Sequence, residues 1–335
     1  MNQVPLYPLR FEPIYQHRIW GGRRLANLLS APLPDDRPIG EAWVLSDRDD
    51  HQSSVAEGPL KGHTLAQLLA QFPEQMMGRL AGHFSRFPLL LKFLDASEML
   101  SVQVHPGYAH KSDAHKDLLP AGEPGKTEAW VVLEAGVKSR IYAGLKPGTT
   151  EADLRQALAN GSVTDRLACF HPKPGDAVFL PAGTVHSLGD GIVVFEVQQN
   201  SDVTFRLYDW NHLDPKTGQP RPLQVDQALA CVDFGEGKGG LVAPEVEATS
   251  PVDRERLFRC DHFGVSRSCG KSAFSIGAAQ VPRVLVCVDG HGQVEHGDTT
   301  YAVGKGDVFL LPAVLGACAF QPLGAVTVLE IGIPE

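Results

Sequence analysis

The stretch Lys173-Pro-Gly-Asp-Ala-Val-Phe-Leu-Pro-Ala-Gly183 returns later in the chain as Lys305-Gly-Asp-Val-Phe-Leu-Leu-Pro-Ala-Val314. Each copy reads as a Gly-Asp turn, an apolar run too short for a helix and a proline that stops it. A chain carrying this hairpin unit twice is constrained toward two related β domains. Other short runs rich in Val, Ile and Phe, bounded by Gly or Pro, recur as PLLLKFL, MLSVQVHP, EAWVVLEA, DAVFLPAG, IVVFEVQ, VTFRLYDW, RVLVCVDG, DVFLLPA and AVTVLEIG. Such strands predict an all-β sandwich or barrel, of which the jelly roll is one form. Gly 34 and Pro 25 among 335 residues exclude a helical bundle or coiled coil, because these two residues are the poorest in a helix interior.

Two segments carry helix signals. Thr64 and Gln67 form a capping-box pattern at the head of the stripe Leu65, Leu68, Leu69 and Phe72, which runs up to Pro73. Thr150 caps EADLRQALAN, which stops at Gly161. Neither apolar stripe carries ligand-type residues, so both are expected to serve packing. Between Phe234 and Pro251 the chain loses aromatic residues and gathers Gly, Pro and Glu, as a linker does. The predicted organisation is a first β domain with helical segments at 1–235, a linker at 236–251 and a second, related β domain at 252–335.

The formal net charge of −9 comes without long like-charged runs, so nothing global favours nucleic acid or an anionic membrane as a partner. An anionic ligand requires a local basic cluster. The opening MNQVPLYPLRFEPIYQHRIW has neither the plan of a signal peptide nor a bilayer-spanning run, which leads to the expectation of a cytoplasmic protein. Cysteines at 169, 231, 260, 269, 287 and 318 form no CxxC pair and are expected as small buried hydrophobes.

The first hairpin copy continues to His186, and Gly175, Pro181, Gly183 and His186 stand at the spacing of the second sequence motif of the cupins, a family of jelly-roll metalloproteins. The second copy keeps Gly306 and Pro312 but has Val314 and Ala317 where the glycine and the histidine stood. Metal binding is therefore expected in the first domain only. Strand alternation puts Ser101, Gln103 and His105 on one face of SVQVH, with Val102 and Val104 on the other, and puts Lys126, Glu128 and Trp130 together in GKTEAW. Gln103, His105, Glu128 and His186 make a nitrogen and oxygen ligand set that suits Zn²⁺ and leaves room for a water or substrate oxygen. The Gly125-Lys-Thr triplet is not a phosphate loop, because Pro120 stands where the first loop glycine belongs and a strand-like run follows.

Alternation further places Thr204, Arg206 and Tyr208 on one face of VTFRLY, and Glu196 beside Val194 and Gln198. Lys92, inside the apolar run PLLLKFL, is costly to bury without a partner or an anion. Lys92, Lys126 and Arg206 lining one cavity would give a local anion site inside an acidic protein. His110 and His115 lie in a polar loop and are read as solvated side chains.

QVHP at 103–106, GKTEAW at 125–130, PAGTVHSL at 181–188 and EVQQNSDVTFRLYDW at 196–210, in this order, resemble the type I mannose-6-phosphate isomerases in their short bacterial form. The likeness runs from IWGG at 19–22 to about Asp233, with a degenerate second cupin domain beyond. It lacks the large helical insertion of the longer eukaryotic-type members. The resemblance implies two cupin-type jelly-roll domains, one Zn²⁺ per chain on Gln103, His105, Glu128 and His186, and interconversion of mannose 6-phosphate and fructose 6-phosphate through a cis-enediol. It puts the essential arginine at Arg206, the pocket lysines at Lys92 and Lys126 and a serine at Ser101.

On this reading Arg206 and Lys126 stabilise developing charge, and Glu196 carries the proton, with a zinc-bound water as the alternative carrier. Phosphate falls to Lys92 and Arg206 with Ser101 as a donor, and Trp20, Glu41 and Trp130 either shape the sugar pocket or serve ordinary packing or a surface ion pair. The chain is expected to act as a monomer or weak homo-oligomer. Two other readings share the fold and ligands: a metal-dependent cupin oxygenase and a non-catalytic sugar-phosphate-binding cupin.

Overall fold

Alternating apolar side chains build two face-packed pairs of antiparallel sheets in the computed structural model, which describes residues 6–107, 118–214, 217–235 and 239–334. In the first pair, a seven-stranded sheet runs in the order Gly240–Leu241, Ala177–Leu180, Glu128–Ala135, Ile192–Gln199, Leu89–Ala96, Glu41–Leu45 and Ile14–Gln16. Opposite it stands a five-stranded sheet in the order Leu167–Phe170, Arg140–Leu145, His186–Gly189, Val102–Val104 and Phe205–Tyr208. Leu94, Trp130, Val132 and Val194 of the large sheet meet Ile141, Ala143 and Leu188 of the small one between them. That apolar filling occupies only one end of the sandwich, because further along the same strands the inward positions are Lys92, Glu128 and Glu196.

The second pair repeats the plan. Its seven-stranded sheet includes Val308–Leu311, Arg283–Asp289, Val326–Gly332, Gly264–Gly270 and Asp253–Arg259, and its four-stranded sheet includes Phe274–Gly277, Ala317–Pro322, His291–His296 and Thr299–Gly304. Leu285, Cys287, Phe309 and Val328 meet Ile276, Val294, Cys318 and Phe320 in its interior.

The strands Leu89–Ala96 and Ile192–Gln199 are buried along their whole length, which explains why they read as near-continuous apolar runs rather than alternating ones. Their second face carries Leu91, Phe93, Phe195 and Val197 into a cluster shared with Val284, Val286, Leu329 and Ile331 of the other sandwich. The two large sheets thus pack back to back. Phe93 and Phe195, with ring centroids 5.3 Å apart, lie in this seam, where truncating either costs about 3–5 kcal/mol.

The stretch expected to link the domains contributes a strand to each sandwich: Gly240–Leu241 pairs with Ala177–Leu180, and Glu245–Ala248 pairs with Asp253–Arg259. Near the start of the chain, Leu9–Arg10 pairs with the repeated hairpin strand Val308–Leu311, and Arg10 bonds Asp307 at 2.8 Å and Glu57 at 2.7 Å. Such pairings over long sequence separations leave no mark in local composition.

Both predicted helices form. Leu65–Gln71 has the reciprocal Thr64 and Gln67 capping box and is followed by Pro73–Met77, while Glu151–Ala159 is capped by Thr150. Pro73–Met77 and a fourth helix, Val225–Cys231, went unpredicted; the latter packs Ala228, Leu229 and Cys231 on the outer face of the five-stranded sheet. All six cysteines are free; Cys231, Cys287 and Cys318 are buried, whereas Cys169, on an edge strand, is exposed, contrary to expectation. No helix among the described residues is long and apolar enough to cross a membrane.

Candidate metal centre and cavity

Three strand ends converge at the polar end of the first sandwich. Gln103, on the five-stranded sheet, lies in register with His186 on one side and Arg206 on the other. Glu128 opens its strand on the facing sheet, in register with Leu180 and Gln198. The carbonyl of His105 accepts the backbone N–H of Gly183 at 2.8 Å, which ties the end of the first hairpin to the ligand-bearing segment.

The donor atoms of His105, Glu128 and His186 lie within 4.8 Å of one another. His186 Nε2 is 3.2 Å from Glu128 Oε1, and His105 Nε2 is 3.4 Å from Glu128 Oε2. The other ring nitrogens face carbonyls: His105 Nδ1 donates to Val203 O at 2.9 Å and His186 Nδ1 to Thr184 O at 2.8 Å. A carbonyl only accepts, so each Nδ1 carries the hydrogen and each Nε2 turns a lone pair toward the carboxylate. Among the described residues both Glu128 oxygens are buried without a hydrogen-bond partner, the Lys126 ammonium standing off Oε2 as an ion pair. Two imidazole lone pairs set against a desolvated carboxylate form a donor set that a divalent cation satisfies.

Burial first, and then the charge of Lys126, push the His105 imidazole down to about 3. Burial alone would raise the Glu128 carboxyl, but Lys126 and His105 hold it well below the usual range. Neutral imidazole and ionised carboxylate are the ligating forms of these groups. Lys126 Nζ stands 3.1 Å from both Glu128 Oε2 and His105 Nε2, and although burial opposes its charge, the carboxylates of Glu128, Glu196 and Asp202 raise it. Gln103 Nε2 is 3.2 Å from His186 Nε2 while its Oε1 accepts from Ser101 at 3.2 Å. A half-turn of that amide presents oxygen in place of nitrogen toward His186, at the position where the sequence reading expects a fourth ligand.

Beside this cluster a cavity of about 430 Å³ opens between the sheets. Lys92 lies at its wall, 3.7 Å from Glu41, 3.7 Å from Glu196 and 3.6 Å from Asp202, with its ammonium 4.6 Å from the centroid of the Trp43 ring. Trp43 Nε1 donates to Glu41 at 2.6 Å, and Arg18 grips the same carboxylate through Nε at 2.9 Å and Nη2 at 3.2 Å. Against the effect of burial, Lys92 and Arg18 pull the Glu41 carboxyl down to about 2. Glu196 accepts from Trp130 Nε1 at 2.8 Å, yet burial and the nearby Glu128 charge raise its carboxyl above the usual range. Burial, followed by the like charge of Arg221, lowers the Arg206 guanidinium.

The sequence-predicted residues Trp20, Glu41, Lys92, Ser101, Gln103, Lys126, Trp130, Glu196 and Arg206 all line this one cavity. Tyr208 does not. A bulge after Arg206 brings Tyr208 opposite Val102, and its ring joins the outer apolar face with Trp210 instead of sharing the inner face with Arg206. His110 and His115 lie outside the described residues. Sequence reading missed Arg18, Asp202 and Arg221 on the cavity wall and Trp43 behind Lys92. For Trp43 a signal existed, since it stands two positions from Glu41 on one strand.

Register identifies the corresponding positions in the second sandwich. Glu330 lies opposite Leu285 as Glu196 lies opposite Trp130, and Arg283 lies opposite Leu311 as Glu128 lies opposite Leu180. Gly277 lies opposite Ala317 as Gln103 lies opposite His186. Arginine, glycine and alanine thus stand where the first sandwich has glutamate, glutamine and histidine, and Glu330 lies 3.4 Å from Arg254 and 3.6 Å from Arg283.

Residues 9–126 match the family described as phosphomannose isomerase type I, catalytic domain. Mannose-6-phosphate isomerase ManA of Bacillus subtilis is 35% identical over 92% of this chain and 94% of its own length. A mannose-6-phosphate isomerase of Streptococcus mutans is 34% identical over 94% of this chain and 95% of its own. The crystal structure of the mannose 6-phosphate isomerase from Bacillus subtilis superposes with a TM-score of 0.87 at 29% identity, covering 97% of this chain and 99% of that one.

Proposed function

The chain belongs to the type I mannose-6-phosphate isomerases, and on that footing we propose that it interconverts mannose 6-phosphate and fructose 6-phosphate through a cis-enediol in the cavity of its first sandwich. The observation that carries the reading is the buried Glu128 carboxylate facing two imidazole lone pairs at the edge of a cavity rich in cations.

Gln103, His105, Glu128 and His186 would hold one Zn²⁺ per chain, which supplies Lewis acidity toward sugar oxygens that gain negative charge. Glu196 takes the proton from C2 of the aldose and returns it to C1. Its raised carboxyl suits that role, because a base whose affinity for protons approaches the working pH transfers them most effectively. During the transfer the C1 oxygen gains a proton, the C2 hydroxyl loses one and the carbonyl moves from C1 to C2. Lys126 brings positive charge to the enediol oxygens, while Lys92 and Ser101 offer donors to sugar hydroxyls. Trp20, Glu41 and Trp130 wall the sugar and keep water from the reacting carbons.

The test is a coupled assay of mannose 6-phosphate conversion before chelation, after it and after zinc is restored. Activity lost on chelation and recovered with zinc is the expected result. Absence of chelator-sensitive isomerisation from a folded protein would overturn the reading.

A further inference from the structure

Most cations on the cavity wall are already matched. Lys92 faces three carboxylates, Lys126 faces Glu128, and Arg18 is engaged by Glu41 through two bonds. Arg206 differs. Among the described residues it makes no ion pair, and its Nε is buried without a hydrogen-bond partner.

Arg221 is the remaining cation on that wall, and it is aimed from behind. The buried Asp209 carboxylate, which is not part of the cavity lining, accepts from Arg221 Nε at 2.7 Å and also from its Nη2. This fork fixes the plane of the guanidinium and leaves the Nη1 edge for another acceptor. The segment carrying Arg221 is docked directly on the strand that carries Arg206. Gln224 Oε1 accepts the Arg206 N–H at 3.1 Å, the Gln224 N–H donates to Arg206 O at 2.9 Å, and Gln224 Nε2 returns to Pro222 O at 3.2 Å. Two guanidiniums are thereby registered to each other on one wall, close enough that the charge of Arg221 acts on Arg206. Like charges held together by their backbones are stabilised by an anion between them, and a phosphate dianion offers each a planar pair of oxygens.

We infer that Arg221, positioned by Asp209, forms with Arg206 the anchor for the phosphate of the substrate. The inference rests on the proposed function for the identity of the ligand, and on the geometry alone for the existence of an anion site. It gives phosphate capture to guanidiniums rather than to Lys92, whose charge three carboxylates already meet.

The experiment titrates the zinc-loaded enzyme with inorganic phosphate, followed by calorimetry and by competitive inhibition, and compares Arg221→Gln, Arg221→Lys and Asp209→Asn. Arg221→Gln is expected to weaken phosphate binding and raise KM for mannose 6-phosphate in parallel, by about 10- to 100-fold, with a smaller change in kcat. Arg221→Lys keeps the charge without the fork and is expected to fall between that variant and the wild type, as is Asp209→Asn. Should Arg221→Gln fail to fold, the Lys variant decides. Phosphate affinity within twofold of wild type in the folded Arg221 variants, or a wild-type enzyme that isomerises mannose 6-phosphate without any inhibition by phosphate, overturns the anchor. A wild-type protein that binds phosphate but does not isomerise leaves the anchor standing and removes the proposed function instead.

Discussion

Trp130 donates its indole Nε1–H to Oε2 of Glu196 at 2.8 Å, across neighbouring strands in which the two residues lie directly opposite. The bond favours the ionised carboxylate, while burial and the charge of Glu128 favour the protonated one and win. A base of this kind works only as the carboxylate, so activity is expected to fall as pH drops through its raised pKa. Removing the indole donor in Trp130→Phe is expected to move the acidic limb of the kcat/KM profile to higher pH. Glu196→Gln is expected to lower kcat by about a thousandfold with the zinc content unchanged. Near-normal turnover in the Gln variant would remove Glu196 as the proton carrier.

Glu41 gives a separate pH signature, in stability rather than rate. Its carboxyl sits at about 2 against 4.5 for the ordinary group, because Lys92 and Arg18 outweigh its burial. A depressed folded pKa contributes stability that is complete above the ordinary value and is lost as pH falls from 4.5 toward 2. Between pH 6 and pH 3 this group alone is expected to account for about 2 kcal/mol of lost stability. Urea midpoints of wild type and Glu41→Gln across that range provide the check. The wild type should show the steeper decline, and parallel curves would mean that the ion pairs around Lys92 do not hold Glu41 ionised.

Zinc should stabilise the fold as well as serve the reaction. A cation bound only by the folded state adds about 4 kcal/mol when present at a thousand times its dissociation constant. Thermal unfolding of the wild type is therefore expected to shift upward with added zinc, and that response should vanish in Glu128→Ala, which removes the carboxylate that both imidazoles face. A Glu128→Ala protein that still binds one zinc per chain and gains the same stability from it would place the metal elsewhere.

The ligand cluster was legible in the sequence because its members sit on strands or directly beside a strand end, where alternation fixes which way a side chain points. Gln103 and His105, two apart, and Lys126, Glu128 and Trp130, at the same spacing, needed only that rule. Arg18 and Arg221 were invisible to it. They come from irregular segments, and what brings them to the cavity is a partner far along the chain or across a loop, Glu41 in one case and Asp209 in the other. Tyr208 shows the opposite failure: the rule was applied across a bulge, where one extra residue reverses every side chain beyond it. The seam between the sandwiches was hidden for a further reason. A strand buried on both faces is apolar throughout, so Leu89–Ala96 announces burial without saying that a second sheet lies behind it.

The repeated hairpin carries the last prediction, because the same glycine has different surroundings in its two copies. Gly175 and Gly306 both adopt left-handed backbone, with φ of 91° and 87°, a conformation that costs an L-residue about 1–2 kcal/mol. At Gly175 an added Cβ meets nothing nearer than Arg267 Nη1 at 3.5 Å, so Gly175→Ala should cost only that backbone strain. At Gly306 the Cβ would lie 2.0 Å from the carbonyl oxygen of Leu28 and 2.8 Å from its carbon. Leu28 ends the turn Arg24–Asn27, which Arg24 pins to the buried Asp95 at 2.7 Å, so the backbone there has little room to retreat. Gly306→Ala is thus expected to lose roughly 3 kcal/mol or more, as overpacking adds to strain. Urea denaturation of the two variants measures the difference. Equal losses would mean that the second hairpin does not press on the first sandwich, and that its glycine serves the turn alone.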